Sequence, residues 1–345
     1  MAIKAVELRF QGIKMIRSRR QFGRCILAAL PAYGALARGP ATFEGVRIGV
    51  CTYSFRDVPR RNGDAVEPTL QALKECDAHI CELFSPQLEP ENRWLAQLMQ
   101  EVTKPRPDGS RLTQDQIYAK YRAAMKTPEA AKYREQVRQW RLNTPMDYFH
   151  KVRAQFDAAG VDIYAYTLNF DNEFMDEELD KCFEQANALK VKTIASSTQI
   201  SMLPRLKPMA EKHKIYVAVH GHSDTKHPDE FSSPASFQQA LDLSDWFRVN
   251  LDIGHFTAAG FDPVAYLNEH HDRITHIHVK DRKKNDGPNE PFGQGNTPIV
   301  AVLRLLKQKH YPIPALVEYE YQGNGTPVQE VNNCLAYMKQ ALQGA

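Results

Sequence analysis

Short runs of apolar and β-branched residues alternate along the chain with longer stretches whose apolar positions recur every three or four residues. The short runs are typical of buried strands, and the longer spacing is typical of helices with one face toward a core. After residue 45 the strand-like runs lie at 46–54, 80–84, 161–167, 191–196, 217–222, 249–252, 274–281 and 315–320. Helix-like stretches separate many of them, including 177–189, 233–246, 263–271 and 297–309. Eight strand–helix units over ~300 residues predict an α/β fold, a (β/α)8 or TIM barrel of parallel strands.

One interval is much longer than a single strand-to-strand crossover requires. Residues 86–148 are rich in Arg, Lys, Gln and Glu, and their aromatic and apolar positions recur at helical spacing. We therefore predict a helical insertion between the second and third strands of a barrel domain that spans 41–345. The insertion could shape one wall of the barrel mouth, form a contact in a homo-oligomer or be a solvated surface excursion, and the sequence leaves these alternatives open.

The first 40 residues have a different character. Residues 18–24 read SRRQFGR, which resembles a twin-arginine export signal, and a moderately apolar stretch follows at 25–36. Small residues at 35 and 37 then provide a cleavage pattern. We expect residues 1–40 to be a signal region that is cleaved or disordered, with export by the twin-arginine route to the periplasm or beyond. The alternative is a basic N-terminal helix that stays attached.

Composition and charge narrow the function classes. The chain is 43% hydrophobic and 25% charged, which is typical of a globular protein with a large core. The sequence has 44 basic and 41 acidic residues, so its net charge is only +3. Nucleic acid is therefore not an expected partner. Beyond the signal region no apolar run approaches the ~18 residues that would span a bilayer, so no membrane association is expected. The remaining cysteines are irregularly spaced, which indicates buried thiols and not a disulfide framework.

Four of the predicted strands carry, at or near their ends, a residue that binds divalent metal ions: His220, Asp252, His278 and Glu318. These positions are 32, 26 and 40 residues apart, about one strand–helix unit each, so a barrel would bring them to one mouth. Imidazole and carboxylate together suit Mn²⁺, Co²⁺, Fe²⁺ or Zn²⁺ and leave coordination positions for substrate oxygens. The sequence therefore predicts one divalent metal ion, with Mn²⁺ as the first choice.

Three stretches around these positions carry a specific resemblance: LDIGH at 251–255, HIHVKD at 276–281 and VEYE at 317–320. They resemble the xylose-isomerase-like superfamily of sugar phosphate isomerases and epimerases, and the resemblance covers roughly residues 46–342. It implies a barrel with a divalent cation at the C-terminal ends of its strands. Carried over position by position, Asp252, His278 and Glu318 match metal ligands of the family.

The fourth ligand position departs from the family pattern. Isomerases and epimerases of the superfamily usually carry a glutamate there that binds the metal and abstracts a substrate proton, whereas this chain has His220 followed by His222. Either histidine is a candidate metal ligand and a candidate for the second proton transfer. The resemblance makes Glu318 the candidate base. Lys280, two residues beyond His278, is a candidate for holding an oxyanion or a phosphate-like group.

Three further residues are candidate substrate contacts. Glu82 matches a recurrent glutamate of the family and is expected either to anchor substrate hydroxyls or to form a salt bridge inside the barrel mouth. His255 is expected to hydrogen-bond a sugar hydroxyl, and Glu320 is either a partner within the site or a rim residue. His276 alternates with the metal-ligand candidate on its strand and is expected to be a hydrogen-bonded core residue.

Three function classes compete for this set of residues. The favoured class is a metal-dependent isomerase or epimerase that acts on a keto-sugar through an enediolate. The alternative is a lyase that eliminates the C1 substituent of a 3-keto-glycoside, which needs one proton abstraction and suits an exported protein. An abasic-site endonuclease is less favoured, because it would need further ligands for three metals and a more basic surface. In the first two classes the partner is a small sugar or glycoside.

Overall fold

Eight parallel strands close into a barrel. The structure, a computed structural model, describes residues 42–344 except 92, 105, 107–111 and 113, so the predicted signal region at 1–40 lies outside the described residues. The barrel strands, β1 to β8, are Val46–Cys51, Ile80–Phe84, Asp162–Thr167, Thr193–Ser196, Tyr216–His220, Phe247–Asp252, Ile274–Val279 and Ala315–Val317. Each strand pairs with its neighbours in chain order, and β8 pairs in parallel with both β7 and β1, which closes the sheet. The predicted (β/α)8 fold class is confirmed.

Helices surround the strands and also supply the insertion. The described helices, α1 to α12, are Val66–Glu75, Arg93–Thr103, Gln114–Ala124, Pro128–Asn143, Met146–Ala158, Asp176–Ala188, Leu203–His213, Pro234–Leu243, Ile253–Ala258, Pro263–His270, Ile299–Lys309 and Pro327–Gln343. Three of them, α2 to α4, lie between β2 and β3 ahead of α5, where a helical insertion was predicted. Within the described ranges, no helix combines the length and the apolar character that crossing a bilayer requires.

The strands are mostly apolar because both of their faces are covered. In β5 and β6 the valines at 217, 219 and 249 have no exposed surface, and the same holds for Phe247 and Leu251. One face of each strand packs inside the barrel and the other packs against the helices, as in other parallel sheets that are buried on both sides. The five described cysteines are free and buried, as expected from their spacing.

Several predicted strands end earlier than their apolar runs suggest. β5 ends at His220, β7 ends at Val279 and β8 ends at Val317, so His222, Lys280 and Glu318 all lie in the first residues of the following loops. The hydrogen bonding between strands stops here because the strands reach the mouth of the barrel, where the chain turns outward into the helical layer. The chemically important side chains are therefore placed at the transition from strand to loop.

A glycine at the second position of α9 allows two segments at the barrel mouth to approach each other. A Cβ atom at Gly254 would lie 2.3 Å from Cγ of Lys280 and 2.8 Å from its carbonyl oxygen, closer than real Cβ contacts allow. Only glycine therefore lets α9, which starts at Ile253, pack against the segment that follows β7. This contact fixes the lateral position of Lys280 at the mouth.

Buried ion pairs attach the insertion to the barrel. Arg141 of α4 lies 2.8 Å from Glu89, in the loop that follows β2, and 2.8 Å from Glu178 of α6. Arg138 lies 3.2 Å from the same Glu178. Both carboxylates are almost completely buried, so each needs a charged partner to offset the loss of hydration. The insertion is thus held at the loop beyond the carboxyl end of β2.

Candidate metal centre

The structure brings together the four metal-ligand candidates from four neighbouring strands. His220 and Asp252 are the last residues of β5 and β6, His278 is the fifth residue of β7, and Glu318 directly follows β8. One side-chain atom from each of the four lies within 4.8 Å of the others, and all four side chains are buried. Because parallel strands direct their carboxyl ends to the same side of a barrel, residues far apart in the chain converge at one mouth.

The two histidines of the cluster are each held through one ring nitrogen. Nδ1 of His220 lies 3.2 Å from the hydroxyl of Ser197, which directly follows β4. Nε2 of His278 lies 2.7 Å from a carboxylate oxygen of Glu82. The other nitrogens, Nε2 of His220 and Nδ1 of His278, make no hydrogen bond with any described residue. Each imidazole is thus oriented by one nitrogen and leaves the other for the centre of the cluster.

In each of the two carboxylates of the cluster, as in each histidine, one polar atom is hydrogen-bonded and the other is not. Oδ1 of Asp252 accepts a hydrogen bond from the backbone N–H of His255 at 2.7 Å, because Asp252 is also the N-cap of α9. Oε1 of Glu318 accepts from the thiol of Cys51 at 4.0 Å. Burial raises the pKa of Cys51 to about 12, so this thiol keeps its proton and acts as a donor. Oδ2 of Asp252 and Oε2 of Glu318 have no hydrogen-bond partner among the described residues.

Four buried polar atoms without hydrogen bonds therefore face one another. Buried polar groups are normally satisfied, and leaving one unpaired costs about 1–3 kcal/mol. The ammonium of Lys280 lies 2.7 Å from Oε2 of Glu318 and 3.2 Å from Oδ2 of Asp252, as ion-pair contacts without hydrogen-bond alignment. Two imidazole nitrogens and two carboxylate oxygens form a donor set that fits a divalent Mn²⁺, Co²⁺, Fe²⁺ or Zn²⁺ ion. The residues present thus match the predicted cofactor.

The charges around the cluster hold three of the four ligands in their metal-binding form and keep a proton on the fourth. Burial alone would raise the pKa of Glu318 and Asp252, but the ammonium of Lys280, helped by nearby histidines, outweighs burial and holds both pKa values below their usual range. Burial lowers the pKa of His220, which leaves that imidazole neutral. Burial would also lower the pKa of His278, but the carboxylates of Glu82 and Glu318 reverse this and raise it well above its usual value.

Metal affinity is expected to increase with pH. Since the raised pKa of His278 keeps this ring protonated at neutral pH in the metal-free protein, a metal ion must displace a proton to bind. Higher pH removes the competing proton, so affinity should rise by about tenfold per pH unit below that pKa. Calorimetric titration with Zn²⁺ between about pH 6 and about pH 8 tests this. The His222→Gln variant should show the same increase of Zn²⁺ affinity with pH. A Zn²⁺ affinity that does not change with pH would contradict the assignment of His278 as a ligand.

The predicted residues Lys280, His255 and Glu320 form a second group beside the cluster. Nζ of Lys280 lies 2.5 Å from Oε2 of Glu320 and 3.1 Å from Nε2 of His255. Nδ1 of His255 lies 2.6 Å from the guanidinium of Arg282. Burial and the neighbouring cations hold the pKa of His255 well below its usual range, so this ring is neutral. Lys280 therefore stands between the metal-ligand candidates and the residues predicted to contact substrate.

His222 is separated from the ligand cluster. Its side chain is 35% exposed, and Nδ1 lies 2.7 Å from Oε1 of Glu230. The ring centre is 5.3 Å from that of His220 and 5.2 Å from that of His255. Of the two candidate histidines at the end of β5, His220 is thus the one among the clustered ligands, and His222 lies beside the cluster with part of its surface exposed.

Of the two alternatives for Glu82, the structure shows the ion pair inside the barrel, with His276 and His278. This side chain has no exposed surface, and its carboxylate accepts hydrogen bonds from both histidines and from Thr167. Side chains of β3 and β7 cover Glu82 from inside the barrel. His276 is fully buried and hydrogen-bonded, as expected for a core residue.

Sequence reasoning missed the residues that orient the ligands. Ser197, Cys51 and Glu230 each contact a metal-ligand candidate or His222, yet none belongs to a recognisable motif. Ser197 carried the clearest signal, since it is a polar residue directly after an apolar strand. Arg282, for which the sequence carried no signal, is buried against His255 and Ser223.

The fold and the site define a (β/α)8 barrel with a potential divalent-metal centre at the C-terminal mouth of its strands. The comparison with known families agrees, because a family model described as xylose isomerase-like TIM barrel matches residues 131–341. The chain belongs to this family.

Individual relatives are more distant. A putative L-ribulose-5-phosphate 3-epimerase of Escherichia coli K12 is 31% identical over 128 residues, which cover 35% of this chain and only 44% of that protein. The structure of a 3-keto-D-glucoside 4-epimerase from E. coli aligns with a TM-score of 0.53 and 11% identity over 86% of this chain and 99% of that one. The IOLI protein with a bound zinc atom aligns with a TM-score of 0.55 and 13% identity over 86% and 98%. The structural likenesses show the shared fold.

Proposed function

We propose that the protein is a divalent-metal-dependent isomerase or epimerase that acts on a keto-sugar through an enediolate. The observation that carries this proposal is the set of four buried ligand atoms at the barrel mouth, which make no hydrogen bonds with the described residues. Active sites of such barrels lie at this mouth. The names of the similar proteins, a putative L-ribulose-5-phosphate 3-epimerase and a 3-keto-D-glucoside 4-epimerase, support a sugar as substrate.

The residues of the metal centre have different roles in enediolate formation. A divalent ion held by the four clustered residues would polarise a substrate carbonyl and acidify the adjacent C–H bond. Glu318 takes that proton on Oε1, which has only the long 4.0 Å contact with the thiol of Cys51 among its hydrogen bonds to described residues. The lowered pKa keeps the carboxylate ionised, and the ligand atom of the cluster is its other oxygen, Oε2. Lys280, charged and 2.7 Å from the same oxygen, donates to the substrate oxygen that gains negative charge.

His222 is our candidate for the second proton transfer. It does not belong to the ligand cluster, so both ring nitrogens remain outside metal coordination. Glu230 contacts Nδ1 at 2.7 Å, and a carboxylate in that place favours the tautomer with the proton on Nδ1. Nε2 is then the nitrogen that exchanges a proton with substrate. His255 and Glu320 flank Lys280 and hold its ammonium while they contact sugar hydroxyls.

A lyase that eliminates the C1 substituent of a 3-keto-glycoside is the second candidate. It is favoured by His220, which occupies the position where the isomerases and epimerases that this sequence resembles have a second proton-abstracting glutamate. Elimination needs only one C–H abstraction, by Glu318, and the leaving group then departs from C1. The partly exposed His222 would protonate the leaving group.

Deuterium incorporation and aglycone release distinguish the two reactions. Mn²⁺-loaded protein is incubated in D₂O with free ketoses and with 3-keto-glycosides, and recovered sugar and released aglycone are measured by mass spectrometry. An isomerase or epimerase should place deuterium on the carbon beside the carbonyl without releasing aglycone. Prompt aglycone release would replace this proposal with the lyase. Asp252→Asn should abolish either reaction, and full activity after exhaustive metal removal would contradict both.

A further inference from the structure

Glu82 lies at the centre of a buried hydrogen-bond ladder that ends at the metal-ligand candidates. Its Oε2 atom accepts from Nε2 of His276 and from Nε2 of His278, each at 2.7 Å. Its Oε1 atom accepts from the hydroxyl of Thr167 at 2.5 Å. Glu82 and His276 have no exposed surface. Both carboxylate oxygens are therefore used inside the protein, and neither is left for a substrate.

We infer that Glu82 is a positioning residue that determines which nitrogen of His278 binds the metal. A carboxylate can only accept hydrogen bonds, so Nε2 of His278 must carry a hydrogen atom. The lone pair of the neutral ring is then on Nδ1, which lies 3.2 Å from Oε2 of Glu318 inside the cluster. Carboxylates commonly fix metal-bound histidines in this way. The inference rests on the proposed metal-dependent function.

The side-chain amide of Asn250 could favour the opposite tautomer of His278, so a second group is needed to fix the tautomer. Nδ2 of Asn250 lies 3.1 Å from the same Nε2 atom of His278. If this amide donated to Nε2, the hydrogen of a neutral ring would move to Nδ1 and the lone pair would leave the cluster. A hydrogen bond to an ionised carboxylate is about twice as strong as one to a neutral amide, so Glu82 decides the tautomer. Oδ1 of Asn250 has no hydrogen-bond partner among the described residues. If the side-chain amide of Asn250 is rotated by about 180°, this oxygen accepts a hydrogen bond from Nε2–H of His278.

The rest of the ladder fixes Glu82 itself. His276 lies two residues before His278 on β7, so both rings point to the same side of the strand. Nδ1 of His276 lies 2.8 Å from the hydroxyl of Thr275, which holds that ring from its far side. Thr167 at the end of β3 then holds the second carboxylate oxygen. Three strands thus hold the carboxylate in the one orientation that reaches His278.

Zn²⁺ binding measured on three proteins tests the inference. Competition with a chromophoric chelator is expected to show Glu82→Gln binding Zn²⁺ about 10- to 100-fold more weakly than the wild type. The reason is that a glutamine has one acceptor oxygen for two ring N–H groups, so its amide can donate to Nε2 of His278. Thr167→Val is the graded control, since it removes the contact to Oε1 but keeps both histidine bonds. Its Zn²⁺ affinity should stay much closer to that of the wild type than the affinity of Glu82→Gln does.

The tautomer of His278 provides a readout that a purely structural role would not change. Long-range ¹H–¹⁵N spectra of Zn²⁺-loaded protein should show His278 protonated only on Nε2 in the wild type, and a population protonated on Nδ1 in the Glu82→Gln variant. Unchanged affinity together with an unchanged tautomer in that variant would overturn the inference. If Glu82→Gln does not fold, Glu82→Asp, which shortens the side chain by one methylene, should show the same weakening. Absence of Zn²⁺ binding to the wild type would instead refute the proposed function.

Discussion

Glu318→Gln is expected to lower turnover by about 10³-fold while the protein still binds metal. Glutamine has the same size and keeps one oxygen for the ion, but it cannot accept the substrate proton. Loss of a general base typically costs 10²–10⁴-fold in rate. The measurement is deuterium incorporation into substrate in D₂O at saturating Mn²⁺, because this reports proton abstraction directly. Metal content is determined in parallel, so that a loss of activity caused by metal loss is recognised.

Glu320→Gln is the matched control for this prediction. Glu320 is two residues from Glu318 and contacts the same ammonium of Lys280 at 2.5 Å, yet it does not belong to the ligand cluster. Its removal changes the local charge by the same amount without removing the base. We expect less than about a tenfold loss of proton exchange in this variant. Equal losses in the two variants, or near-normal exchange in Glu318→Gln, would show that Glu318 is not the base.

Lys280→Met is expected to destabilise the metal-free protein by about 3–5 kcal/mol. The buried ammonium lies within 3.2 Å of carboxylate oxygens of Asp252, Glu318 and Glu320. Methionine fills similar space but leaves these negative charges without their nearest cation. Urea unfolding without metal measures the loss. Addition of Mn²⁺ should restore much of it, because a divalent ion between Asp252 and Glu318 would replace the missing positive charge.

The contrast between the two metal states is the decisive feature of this second prediction. Mn²⁺ is expected to stabilise the Lys280→Met variant more than it stabilises the wild type. Lys284→Met is the control, because Lys284 is exposed and its replacement should change neither stability nor the response to metal. Equal stabilisation of wild type and Lys280→Met by Mn²⁺ would mean that the ammonium and the metal do not share the carboxylates.

The barrel and the four clustered ligands were predictable from the sequence because each depends on a local pattern that repeats. Strands covered on both faces are mostly apolar, so they appear as runs, and a polar residue at the end of a run lies at the barrel mouth. His220, Asp252, His278 and Glu318 all follow this rule. The export signal at 1–40 lies outside the described residues and stays a prediction.

Glu82 shows what this reasoning leaves open. The sequence places a glutamate near the end of β2, and either a contact with substrate or an ion pair inside the barrel agrees with that position. The structure covers it with the histidine at 276 and the threonine at 167, both from other strands, and uses its charge to orient a ligand. Sequence spacing could not show this, because it predicts the end of the barrel at which a residue lies but not the depth of its side chain inside.

By itself, the sequence determined the architecture and the donor atoms: alternating apolar runs require a parallel barrel, and imidazole and carboxylate side chains at the strand ends provide the chemistry for a divalent ion. Only the tertiary structure decided which atom of each ligand faces the cluster, and that His220 and not His222 belongs to it. The physical reason is that orientation depends on hydrogen bonds with Ser197, Glu82 and other residues far away in the chain. Such contacts form only when separate strands are brought side by side.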